Sequence, residues 1–253
     1  MNKLTRNILF YSLLFAVWYS IARTHVCPPR LLPSPGGVAH ALFNGLSDGS
    51  LFAAVRFSMK RVVIGYLVSV ALGFGLGLAI SVSKFLEDTL GNLLTSLQSL
   101  PSLSWLPLAL LWFGPTDKGI YFVIIMGSVF SIAMSIETSR SGIPPIIPMA
   151  ARNLGASGVQ LYLHVLLPAS LPSLISGLKQ GWAFAWRGLI SAEMFIVSCG
   201  LGQLLMNGRS ANDMNRVFAV LVVILVIGWA VDAFVFRNLE RAVARRWGLS
   251  HAA

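Results

Sequence analysis

Runs of apolar residues about as long as a bilayer is thick recur along this chain, and an α-helix needs about 20 such residues to cross the hydrocarbon core. They occupy 8–22, 62–82, 86–100 continued after Pro101 by 103–113, 119–136, 171–197 and 217–236. Composition points the same way. Of 253 residues, 56% are hydrophobic and only 11% are charged, against about 25% charged in an average soluble domain. Cores of a chain this size cannot hide that apolar excess, so much of it faces lipid.

The charges are mostly basic, 19 Lys+Arg against 9 Asp+Glu, with a formal net charge of +10. They flank the apolar runs instead of forming one stripe interleaved with polar and aromatic groups, which excludes nucleic acid as a partner and suits membrane lipid. Cys27 and Cys199 have no C-x-x-C spacing and there are four histidines, so neither a disulfide framework nor a usual structural zinc site is indicated. No Gly-Lys pair occurs, so the chain lacks the phosphate-cradling G-x-x-x-x-G-K-[ST] loop. It advertises no cofactor.

Six spans place both termini on one side, but the distribution of basic residues barely separates the two orientations. The dense C-terminal tail favours the cytoplasm, whereas Arg56, Lys60 and Arg61 argue the other way unless they lie on an interfacial helix. The first run follows Lys3 and Arg6 and ends near Ser20 and Ala22. It reads as a signal peptide or a retained span, and Trp18 and Tyr19 favour the span. A helix broken at Pro101 must have its freed backbone groups covered by protein or water, which puts it inside the fold. Gly65, Ser69, Gly73, Gly77 and Ser81 recur every four residues, a face that lets another helix approach closely.

The polar stretch between the fourth and fifth runs carries the strongest pattern. Residues 150–154 read as a short helix, Gly155 supplies the permissive backbone at its end, and residues 156–163 start a second helix. This knob carries Leu154, Val159, Leu161, Tyr162 and Leu163, and so needs something to pack against. Ala150-Ala151, Gly155, Val165 and Leu167-Pro168 resemble the signature loop of permease subunits of ABC importers. Met149 stands where that family opens the motif with an acidic residue. Leu32-Pro33-Ser34-Pro35, the stretch from Pro101 to Gly114, the stretch from His164 to Pro172, Trp186, Ala192-Glu193 and Gly200-Leu201-Gly202 extend the resemblance over nearly the whole chain. They look like the nitrate, sulfonate, taurine and bicarbonate branch.

The resemblance implies an all-α integral membrane chain of six transmembrane helices, with the MetI-like fold of type I importer permeases and a cytoplasmic coupling helix. It implies the bacterial inner membrane with both termini cytoplasmic. The implied partners are two copies of an ATPase subunit carrying ATP and magnesium, an extracytoplasmic substrate-binding protein and a second permease copy. Met149, Ala150, Ala151, Arg152, Leu154, Gly155, Gly158, Leu161 and Pro168 would contact the ATPase, and the solute would be a small anion resembling a sulfonate, nitrate or taurine. Residues 1–61 would hold the first span, an extracytoplasmic loop and an interfacial helix. Residues 62–238 would form the permease core with its coupling loop at 139–168, and 239–253 a cytoplasmic basic tail.

Ionisable residues inside spans cost roughly 2.5–3.5 kcal/mol each at the bilayer centre and are functional candidates by default. Arg187 and Glu193 qualify, and with Trp186 and Pro101 they form the candidate translocation path. The two lie about 120° apart around a helix, so they do not share a face. Arg187 either meets an anion in a water-filled path or makes hydrogen bonds between spans; Glu193, near the outer end, either gates or pairs with another helix, and reads better as the structural partner. Asp232 can pair near Arg237, and Trp182 and Trp186 share one face as bundle packing. Two other classes compete, an ATP-independent secondary transporter or channel and an intramembrane enzyme. The first calls for inverted repeats or intramembrane acid pairs, the second for a catalytic constellation, and the sequence displays neither.

Overall fold

The computed structural model describes residues 3–24, 28, 31–196 and 199–246, all helical or in connections between helices. Cys27, Arg30, Val197 and the last seven residues of the expected basic tail, 247–253, lie outside the described residues. In chain order the helices are α1 (Lys3–Arg23), α2 (Pro35–Ser47), α3 (Ser50–Val82), α4 (Lys84–Leu86), a π-helical turn (Glu87–Gly91) and α5 (Asn92–Gln98). A 3₁₀ turn (Ser102–Trp105) then leads to α6 (Leu106–Phe113), α7 (Asp117–Ser141), α8 (Ile146–Asn153) and α9 (Gly158–Leu161). A second π turn (Tyr162–Leu166) joins α10 (Leu167–Phe195), and α11 (Leu201–Ser210), α12 (Met214–Val231), a third π turn (Asp232–Phe236) and α13 (Arg237–Arg246) complete the order. Among the described residues, three stretches are long and apolar enough to cross a membrane: Ser50–Ser81, Asp117–Ser139 and Met214–Arg245.

The chain divides into two compact units, residues 1–58 with 193–226 and residues 59–192 with 227–253. In the second unit the small-residue face of α3 meets α7 step for step. A Cβ on Gly65 would stand 2.7 Å from Ile124, one on Gly73 2.8 Å from Ile132, and one on Gly77 2.7 Å from both Ile136 and the Ala133 carbonyl. Between them, Ser128 donates to Ser69 across the interface at 2.8 Å. Rows of residues four apart on both helices interdigitate, which brings the backbones close. The expected role of this face is therefore observed.

This contact makes a graded prediction. Gly77→Ala drives a methyl into a carbonyl that α7's own ladder holds in place, and overpacking of that kind costs about 1–3 kcal/mol. Gly75, on the same helix, has open space at its Cβ. Thermal melts in detergent should show a lowered transition for Gly77→Ala and none for Gly75→Ala. Equal melts for the two would refute the packing argument.

The break at Pro101 is also observed. Helix α5 ends at Gln98, Pro101 takes φ −57° and ψ 140°, and the 3₁₀ turn follows. That turn is pressed onto α7, because a Cβ on Gly127 would come within 2.8 Å of Ser102 Oγ. Ile80, Leu94, Val129, Phe130 and Ala133 form the buried cluster beneath it, with Trp105 against its edge. Helix α3 begins at Ser50, well before the expected 62, so Arg56, Lys60 and Arg61 ride on the same continuous helix as the span. Arg61 is buried and pairs with Asp117 at the start of α7, 2.8 Å away.

In the first unit, Ser34 caps α2 by accepting from the Gly37 N–H, with Pro35 at the first helical position. Trp18 donates to the Pro33 carbonyl at 3.1 Å and stacks on Phe218. Its indole is thus held by protein on two sides. Asp48 accepts from the Ser50 N–H at the start of α3, and that bond holds its carboxyl below the ordinary value.

Candidate functional site

The expected knob exists, with shifted bounds. Its first helix, α8, starts at Ile146 instead of Ala150, directly after Pro144 and Pro145, and its second, α9, starts at Gly158 instead of Ala156. Gly155 sits between them at φ +88° and Gly158 at φ +50°. The Gly155 N–H bonds to the Arg152 carbonyl at 2.9 Å, and the Ala156 N–H to the Ala151 carbonyl at 3.0 Å. That pair of bonds is the Schellman arrangement, which satisfies the last carbonyls of a helix and requires a left-handed residue at the Gly155 position.

Around this turn the apolar residues divide. Ala151 and Leu161 are buried, fixing the two helices, while Met149 is exposed and Leu154, at the tip, is 89% exposed. Ala150, Arg152, Gly155 and Gly158 are exposed as well. The side chains of Val159, Tyr162 and Leu163 lie outside the described set. Pro168 is the second residue of α10, which follows the π turn without a break.

The structure separates the charged candidates. Arg187 is exposed; its Nε donates to the Ala183 carbonyl at 3.0 Å and its guanidinium lies 4.8 Å from the centre of the Phe184 ring. Glu193 is fully buried. Its two carboxylate oxygens accept from Ser58 Oγ at 2.9 and 2.7 Å, and one also accepts the Gly202 N–H at 3.1 Å. Ser58 Oγ in turn accepts the Leu201 N–H. Glu193 and Ser58 together thus satisfy two free donors at the N-terminus of α11, where negative charge is favoured.

Trp186 is buried, and a Cβ on Gly228 would lie 3.5 Å from its Nε1. Trp182 packs edge-on to Tyr66 and beside Phe236, the bundle packing that its spacing implies. Asp232 pairs with Arg237 as expected, but more closely with Lys179, at 2.8 Å against 3.7 Å; Lys179 also reaches Glu240. Lys179 lies within the fifth apolar run, 171–197; sequence reasoning singled out neither it nor these partners.

It also missed a groove among α5, α7 and α10 with a volume of about 510 Å³. Thr95, Gln98, Ser131, Ser173, Ser176 and Gln180 line it. The signal was present as polar residues three and four apart within otherwise apolar helices, a pattern that puts them on one face.

Among the described residues the protein is all-helical, with bilayer-length apolar helices and a capped helix pair whose tip is exposed. Residues 70–245 match the family of binding-protein-dependent transport system inner membrane components, and the chain belongs to that family, as a permease subunit of an ABC transporter within its nitrate, sulfonate and taurine branch. It is 33% identical over 236 residues to a protein of Methanocaldococcus jannaschii described as an ABC transporter permease, covering 91% of this chain and 88% of the relative. It is 30% identical to a Bacillus subtilis protein described as the aliphatic sulfonates transport permease SsuC, covering 95% and 87%. Among solved structures, the inward-facing MetNI methionine ABC transporter matches in fold with a TM-score of 0.65 at 20% identity, over 76% of this chain and 95% of that one. The protein is therefore a multi-pass inner-membrane permease subunit and not itself catalytic. Its family works with an ATPase and a substrate-binding protein.

Proposed function

We propose that this permease admits a small anion of the sulfonate, nitrate or taurine kind, and that a cytoplasmic ATPase drives it through the 149–168 segment. The observation that carries the coupling role is the exposure of Leu154 at the tip of a rigidly capped helix pair. An apolar side chain held out on so defined a support is suited to a groove on another subunit. The sulfonate relative and the nitrate-branch motifs support the solute class.

In this reading α1, α3, the segment broken at Pro101, α7, α10 and α12 are six spans. At about 1.5 Å per residue, α1 and α10 have sufficient length even though they fall outside the three most apolar stretches. Both termini and the knob face the cytoplasm, two ATPase copies bind two copies of this chain, and residues 1–61, 62–238 and 239–253 divide as N-terminal, core and tail regions. Arg187, exposed in the C-terminal third of α10, faces the path or the second copy, next to Trp186, with Pro101 as its hinge. Glu193 holds the start of α11 in place.

Co-expression of the chain with its ATPase should give a stable complex whose vanadate-sensitive hydrolysis responds to the binding protein. Leu154→Asp should weaken co-purification by about tenfold, the loss expected when an apolar anchor is replaced by a charge. A chain that never joins an ATPase, yet moves solute into liposomes under an ion gradient, would overturn the reading in favour of a secondary transporter.

A further inference from the structure

The groove among α5, α7 and α10 is not used by the coupling element, and its chemistry is distinctive. None of its lining residues is charged. Hydroxyl and amide side chains dominate instead, in a volume of about 510 Å³, within the range typical of small-molecule sites.

Ser131 sets this groove apart from a chance stripe of small residues. The neighbouring Ser135 and Ser139 each donate their hydroxyl proton to a carbonyl one turn back, at 2.6 and 2.5 Å. Ser131 does not: its residue is 1% exposed, and its hydroxyl is buried with no hydrogen-bond partner. Burying a hydroxyl unpaired is unfavourable, and such groups in folded proteins are commonly places where a ligand or water completes the bonding. Here the orphan belongs to a residue that lines a cavity whose other polar groups include the amides of Gln98 and Gln180. A serine O–H and two amide NH₂ groups are donors.

We infer that this groove is a solute site in the permease chain itself, where neutral hydroxyl and amide donors, with Ser131 at the buried end, hold the oxygen-rich head of a small anion. The inference rests on the proposed importer function and adds the place and the chemistry of binding. Neutral donors suit transit. A site on a transport path must attract its solute enough to admit it and weakly enough to release it, and a lysine or arginine in a membrane groove would hold an anion far more tightly than hydroxyls do. Arg187, the charged candidate from the sequence, does not line this groove.

The test has two parts. The first is calorimetric titration of the full-length permease in nanodiscs, without partners, using methanesulfonate and nitrate as probes. Wild type should bind at least one of them, and Ser131→Ala should weaken that binding about tenfold, the equivalent of losing one hydrogen bond to a charged group. Gln180→Glu, at an exposed position that tolerates the change, should abolish binding by repulsion. Melting curves of both variants check that they fold. No binding by wild type, or equal binding by folded variants, overturns the inference.

The second part is uptake by the complete transporter in liposomes. Gln180→Lys should lower KM and kcat together, because the anion is held too well to leave. A variant that keeps both wild-type values counts against the groove even if ATP coupling is intact. Failure of the ATPase to assemble would instead refute the importer reading, while the nanodisc titration still decides the groove.

Discussion

Valine at position 155 is expected to reduce solute uptake about tenfold or more, since a β-branched residue forced into left-handed backbone costs at least the 1–2 kcal/mol of an ordinary residue. The chain should still insert. The effect isolates backbone conformation from packing, because a Cβ on Gly155 would meet no atom within 4 Å, while φ stands at +88°. Relieving that strain means abandoning the bonds from Gly155 and Ala156 to the Arg152 and Ala151 carbonyls, and with them the angle at which Leu154 is presented. Asparagine enters the left-handed region more readily than other residues with a side chain, so Gly155→Asn should keep a larger share of uptake. Transport by reconstituted complexes, normalised to permease in the membrane, reads the difference. Wild-type uptake by Gly155→Val would remove the coupling role, and equal losses in the two variants would show that conformation is not the cause.

Gly200→Ala is expected to destabilise the chain by about 3–5 kcal/mol, the scale associated with breaking a buried charged network. Its backbone at φ 171° is extended, which any residue can adopt; the difficulty is space. A methyl there falls directly on the Glu193 carboxylate. That carboxylate is fully buried and cannot retreat without releasing Ser58 and the Gly202 N–H, which leaves the start of α11 uncapped. Gly36 offers a control with nothing within 4 Å of its Cβ. Melts in detergent should show a large fall for Gly200→Ala and little change for Gly36→Ala. If Gly200→Ala melts with wild type, the carboxylate is not fixed as described.

Much of the architecture was legible before any coordinates because its causes are local. The proline at 101, the four-residue repeat of small side chains on α3 and the glycine at 155 each constrain a few consecutive residues, and the structure realises each of them; of the six apolar runs, three appear among the described residues as helices long and apolar enough to cross a membrane. Element bounds were less legible. Helix α3 extends back to Ser50 through a stretch with three basic residues, because Arg61 finds Asp117 and so can be buried. The charge pattern alone leaves that stretch either as evidence for the opposite orientation or as an interfacial helix.

What the sequence determined by itself is the helical, membrane-crossing class of the chain, where a helix breaks, which face of α3 admits a neighbour and where the knob turns, since backbone sterics and side-chain periodicity fix these within a single element. Only the tertiary structure decided which groups meet. Ser58 and Glu193 are 135 positions apart, Lys179 turns to Asp232 and Glu240 from another helix, and Ser131 faces a groove whose other walls come from α5 and α10. Such meetings depend on how helices rotate and cross, which the packing of many side chains sets together and which no short stretch of sequence records.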